Sequence, residues 1–155
     1  MPQNTTLDAV QSLVISTVRG VTPTITRDSV GGWEPRPSNR PARSGLRNRS
    51  YSVELYGDRD APAEVAGWTC LSEVREVTCH VVTDYSIPFQ DAYPIIAQDN
   101  ADLRDALSDL KKTSSNGIWW VQGEEFTDPP EPEEGGDHYQ VEHEFTIRYQ
   151  RARSY

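Results

Sequence analysis

The stretch Tyr139–Gln150, YQVEHEFTIRYQ, decides how this chain is read. Tyr139, Val141, His143, Phe145, Ile147 and Tyr149 alternate with Gln140, Glu142, Glu144, Thr146, Arg148 and Gln150. A period of two sustained over that length predicts a strand with one face buried and the other in water. Such one-sided strands belong to antiparallel sheets, because a parallel sheet is covered on both faces. Just upstream, Asp128-Pro-Pro-Glu-Pro-Glu-Glu-Gly-Gly-Asp137 carries too much proline and charge to pack, so 127–137 is expected to be a solvated acidic loop. Before it, Ile118-Trp-Trp-Val-Gln122 follows an Asn116-Gly117 turn signal and is expected to pair with the last strand as a hairpin.

Working further back, Leu103, Leu107 and Leu110 form one stripe of a helix that Asp99 or Asn100 would cap and that runs to about Lys112, after breaks at Pro88 and Pro94. Residues 73–83, EVREVTCHVVT, are β-branched, with Val77, Cys79 and Val81 on one face and His80 and Val82 on the other, as in a central strand. Tyr51–Tyr56 alternates in the same way and is expected to end at Gly57-Asp58. Leu7, Val10, Leu13, Val14, Val18 and Val21 recur at helical steps between a Thr5 or Thr6 cap and a Gly20 stop. The order is helix, arm, strand, strand, helix, strand, strand. It predicts an α+β domain spanning 1–155, with a mostly antiparallel four-stranded sheet, two helices packed on one face and a long basic arm.

That arm, 27–49, changes composition to Pro, Gly, Ser, Asn and Arg, and holds Arg27, Arg36, Arg40, Arg43, Arg47 and Arg49 against only Asp28 and Glu34. Its two large apolar residues, Trp33 and Leu46, cannot offset the entropy of ordering it alone. It is therefore expected to be mobile in the isolated subunit and to order against a neighbour. Trp33 would be the anchor and Arg36, Arg40, Arg43, Arg47 and Arg49 the pairing groups, because aromatic residues and arginine dominate interface hot spots. The acidic loop is the natural counterpart.

The whole chain carries 15 basic and 24 acidic residues, a formal charge of −9, which argues against gripping nucleic acid or an anionic membrane. Thirteen of the bases are arginine and two, Lys111 and Lys112, are lysine. A high-GC genome explains this as well as adaptation to concentrated salt does. The N-terminal MPQNTTLDAV has neither the basic stretch nor the apolar core of a signal peptide, and no run approaches the ~18 apolar residues of a membrane span. Cys70 and Cys79 lack metal or disulfide-framework spacing and are expected to be buried thiols.

No catalytic constellation emerges. His138 and His143 are five apart on one strand, an odd spacing that cannot chelate one metal, and His143 shares the apolar face. Both His143 and His80 are expected to be packed, hydrogen-bonded histidines. Asp99-Asn-Ala-Asp102 opens like a calcium loop but lacks the turn glycine and closing glutamate, so helix capping is the expectation. Glu124-Glu125 and the acids of 131–137 have no fixed ligand spacing, and no metal or cofactor is assigned.

The element order, ending in the hairpin strand EFTIRYQR (144–151), resembles the tail terminator, or tail completion, proteins of long-tailed phages and related archaeal viruses. The resemblance covers most of 5–150 apart from the arm, and rests on pattern. It implies a small structural α+β subunit without catalytic residues, forming a ring of six copies that caps the tail tube and offers the head-joining surface. Partners would be other copies of itself, the tail tube protein and a neck or head-completion protein, with DNA only as passing cargo and no membrane. Its place would be the virion, after assembly in the host cytoplasm. A head-completion or stopper protein, or a soluble binding module whose arm folds on an acidic partner, has the same sequence features.

Overall fold

The computed structural model describes residues 4–25, 33–35, 49–62, 72–86, 89–112, 117–126 and 138–152. The first helix, α1, spans Leu7–Arg19. Thr6 caps it, its hydroxyl accepting from the Ala9 N–H at 3.2 Å, with Asp8 in the first turn and Arg19 in the last, each at the end that suits its charge. Val10, Val14 and Val18 lie on one stripe at four-residue steps and are fully buried.

Five strands form one sheet: β1 (Trp33–Pro35), β2 (Arg49–Asp60), β3 (Ser72–Ser86), β4 (Ile118–Gly123) and β5 (His138–Ala152), in the order β1-β2-β3-β5-β4. β2, β3, β5 and β4 are antiparallel neighbours, so the α+β class and the four-stranded antiparallel sheet hold. β3 and β5 pair without interruption from Ser72↔Ala152 to Ser86↔His138, which makes them the sheet's axis. The short β1 is an addition to the expected strands. It runs parallel to the start of β2, Trp33 opposite Arg49 and Pro35 opposite Tyr51, so Trp33–Pro35, within the basic arm, lies beside the residues that end the arm and begin β2. Pro35 is tolerable there because β1 is an edge strand, where one side needs no N–H donor.

β2 passes through Gly57-Asp58 instead of ending there. Tyr56 pairs with Thr78 and Arg59 with Glu76, so two residues oppose one, and Gly57 at φ 70° takes the left-handed conformation that such a bulge requires. Ion pairs hold the bulge: Arg75 reaches Asp58 at 3.2 Å and Asp60 at 2.5 Å, and Tyr149 donates to Asp58 at 2.7 Å. Two carboxylates therefore raise the Arg75 pKa despite the opposing effect of burial, while burial and the Asp58 bond push Tyr149 up to about 12.

One face of the sheet carries the core. Tyr51 and Val53 of β2, Val77, Cys79 and Val81 of β3, Ile118 and Val121 of β4, and Phe145, Ile147 and Tyr149 of β5 meet both helices. α1 is further tied to β2, since Tyr51 donates its hydroxyl proton to the Ile15 carbonyl at 2.7 Å and Gln11 donates to the Val53 carbonyl at 3.0 Å. Cys79 is buried, which pushes its thiol up to about 12, whereas Cys70 lies outside the described residues.

The second helix differs from its sequence reading. α2 spans Phe89–Ser108 and continues as a 3-10 turn, Asp109–Lys112. It runs through Pro94, and Asp99 and Asn100 sit inside it as buried residues, not as caps. The reason is apolar continuity. Ala92, Ile95 and Ile96 extend the Leu103–Leu107 stripe back by three turns, and their burial against Tyr85, Tyr139 and Val141 outweighs the one hydrogen bond that a proline removes. None of the helices in the described residues is long and apolar enough to cross a membrane.

Candidate assembly surface

Of the residues read as interface candidates, Trp33 lies in β1 and Arg49 opens β2 directly opposite it. Arg36, Arg40, Arg43 and Arg47, like the whole 127–137 loop with all its acids, lie outside the described residues. The arm is therefore rooted at the β1/β2 edge of the sheet, at the end where β2 meets the close of β3. Among the described residues no helix covers the other face of the sheet, where Val74, Glu76, Val82 and Asp84 are nonetheless buried, and the charged side chains of that face divide into two groups.

The first group holds arginines. Glu76 on β3, its side chain only 8% exposed, accepts from Arg148 Nε at 2.8 Å and from Arg59 at 2.5 Å, and the Arg148 guanidinium lies 4.1 Å from the centre of the Trp120 ring. Burial alone would raise the Glu76 pKa, but the two arginines outweigh it and hold the carboxyl below its usual range. Here a carboxylate and a flat ring together fix a guanidinium.

The second group has carboxylates and no such arginine among its described residues. His80 faces away from the helices, correcting the expectation that it would pack in the core. Even-numbered β3 positions at this level point to the face away from the helices, and its ring is edge-on to Tyr56, centroids 4.7 Å apart, with the Tyr56 hydroxyl bonded to it. Its ring nitrogens lie 3.4 Å from Glu142 and 3.7 Å from Glu144. Beside this group, where the chain leaves β4, a cavity of about 290 Å³ is lined by His80, Asn100, Glu124, Glu125, Phe126, Glu142 and Glu144.

The inner wall of this cavity is tied together by hydrogen bonds. Asn100 donates to His143 Nδ1 at 3.0 Å and accepts from the Phe126 N–H at 3.2 Å, while Tyr85 lies 3.4 Å from His143 Nε2. With Nδ1 accepting, the assigned tautomer places the proton on Nε2. His143 is 1% exposed, and burial pulls its pKa down to about 4. It is thus the packed, hydrogen-bonded core histidine the alternation implied. A separate groove between α1 and α2 is lined in part by Asp102, Asp105 and Asp109, and Asp102 accepts from the Thr24 N–H at 2.9 Å and the Thr24 hydroxyl at 2.8 Å.

Among the described residues no three metal-ligand side chains are grouped so as to hold a metal ion. The convergence of Glu124, Glu142, Glu144 and His80 was missed in the sequence. The alternation along β5 does place Glu142 and Glu144 on the wet face, but only register brings His80 beside them. No protein-family model matches this chain, and no curated protein matches it in sequence.

Proposed function

We propose that this chain is a structural subunit of a viral tail or neck, a tail-terminator protein that assembles as a ring, caps the tail tube and offers the surface to which the head is joined. One observation carries the reading: the connectivity α1, basic arm, β2–β3 hairpin, α2, β4–β5 hairpin. This is the element order on which the family resemblance rests.

The distribution of charge supports the same reading. The arm holds six bases and two acids, +4, which leaves nine bases and 22 acids, −13, on the rest of the chain. Unlike surfaces on one subunit favour head-to-tail contacts, which close into a ring when the rotation per contact divides the circle. An acidic wall suits a conduit that DNA passes through without being held. In this reading the protein turns over no substrate, and His143 serves stability.

The test is imaging of virions assembled without the protein. Overlong tails lacking heads are the expected result; tubes of normal length joined normally to heads would refute the role.

A further inference from the structure

We propose that the exposed carboxylates Glu142 and Glu144 on the sheet face away from the helices, together with the cavity at its edge, are the seat of the arginine arm of a second copy of this chain. The proposal rests on the ring reading and names the contact that would build it.

Four observations carry it. The cavity gathers four carboxylates, Glu124, Glu125, Glu142 and Glu144, and no arginine or lysine lines it among the described residues. Phe126 supplies a flat ring inside, and Tyr56, 44% exposed, another beside it. The same sheet face already shows what this combination holds, because Arg148 is fixed between the Trp120 ring and Glu76. Arginine is the side chain suited to both features at once, through bidentate pairing with carboxylates and stacking on rings. Six arginines are concentrated in 27–49, in a chain that is otherwise strongly acidic.

Placement makes the contact head-to-tail. The arm is rooted at the β1 edge, while the cavity lies beside β5 and the end of β4, across the sheet. An arm reaching a neighbour's cavity leaves its own subunit's cavity free for the next arm, so the contact repeats in one direction. The acid-rich stretch 127–137 follows Phe126 directly in the chain, so the arm's expected counterpart begins at the lip of the same cavity.

The experiment uses the full chain in three charge-reversed forms: Glu124→Lys with Glu142→Lys and Glu144→Lys; Arg40→Glu with Arg43→Glu and Arg47→Glu; and both sets in one chain. Mass is followed by sedimentation and light scattering at low salt and at 1 M salt. Each reversed set alone is expected to weaken association at least about tenfold at low salt, with a smaller loss at 1 M, where charges are screened. An equimolar mixture of the two sets is expected to associate again, since each acidic arm then meets a basic cavity. If the mixture fails while the doubly reversed chain behaves as wild type, each arm sits on its own subunit and the proposal falls. Should circular dichroism show the lysine set misfolded, Glu124→Gln with Glu142→Gln and Glu144→Gln replaces it, with the same direction of change expected; association at low salt equal to wild type overturns the proposal. Wild-type oligomers that survive reversal of the cavity also overturn it while leaving the ring reading intact. A wild-type chain monomeric at every concentration removes the ring reading itself, and the proposal with it.

Discussion

At the scale of single residues, burial decides what each polar group can do. His143 has a pKa of about 4 in the fold against an ordinary 6.5, so protonation favours the unfolded chain. Its contribution to stability is complete above pH 6.5 and is lost as pH falls from 6.5 towards 4, by a total of about 3 kcal/mol. Urea unfolding of the wild type and His143→Gln at a series of pH values checks this: the difference between the two should narrow as pH falls through that window, and a constant difference would contradict it. Gly123 is needed for space, not for backbone freedom. A Cβ built there would lie 2.6 Å from Arg104 Cγ and 2.7 Å from Phe145 Cε1, and Phe145 is wholly buried, so it cannot turn away. Gly123→Ala is expected to destabilise by about 1–3 kcal/mol, measured by the same unfolding curves.

At the scale of elements, α2 and β2 show tertiary contacts overriding local signals. Pro94 lies inside α2 and lacks the N–H that would complete the ladder, while Ala92, Ile95 and Ile96 around it are held by the core. Pro94→Ala is expected to gain about 1–3 kcal/mol in thermal or chemical unfolding. A loss would show that the proline sets where the helix begins. In β2, Gly57 at φ 70° lets the strand bulge and resume pairing at Arg59. Gly57→Val would force a β-branched side chain into the left-handed region, at a cost of about 1–2 kcal/mol in unfolding free energy.

At the scale of the whole molecule, the sheet separates a face buried under two helices from a face of ions and aromatic rings. The first accounts for stability, and Leu107→Ala, which removes a 0% exposed side chain by which α2 packs into the core, is expected to cost about 2–5 kcal/mol. The second carries the proposed assembly, whose salt dependence separates it from hydrophobic association: attraction between arm and cavity weakens as salt rises, whereas apolar contacts strengthen in salting-out ions. Broad hydrolase and phosphatase assays of the purified protein, with metal added, are expected to show no turnover. Robust turnover abolished by one histidine substitution would contradict the structural role.

The alternation of Tyr139–Gln150, the valine stripe of α1 and the β-branched run of β3 were legible in the sequence because each period is local, and each determined its element and its buried face. The fold class followed from their order. Three features depended on long-range pairing and lay beyond local reading. The early start of α2 depends on Tyr85 and Tyr139 being brought beneath Ile96, which outweighs a proline that propensity treats as a break. The continuation of β2 past Gly57 depends on Arg59 and Asp60 finding Glu76 and Arg75. The acidic cavity depends on the β3–β5 register, which sets His80 against Glu144, and on Asn100 tying Phe126 into the wall. Composition can count carboxylates along a chain. Only the pairing of strands decides which of them face one another, because their Coulomb energy depends on distance in space and not on separation in sequence.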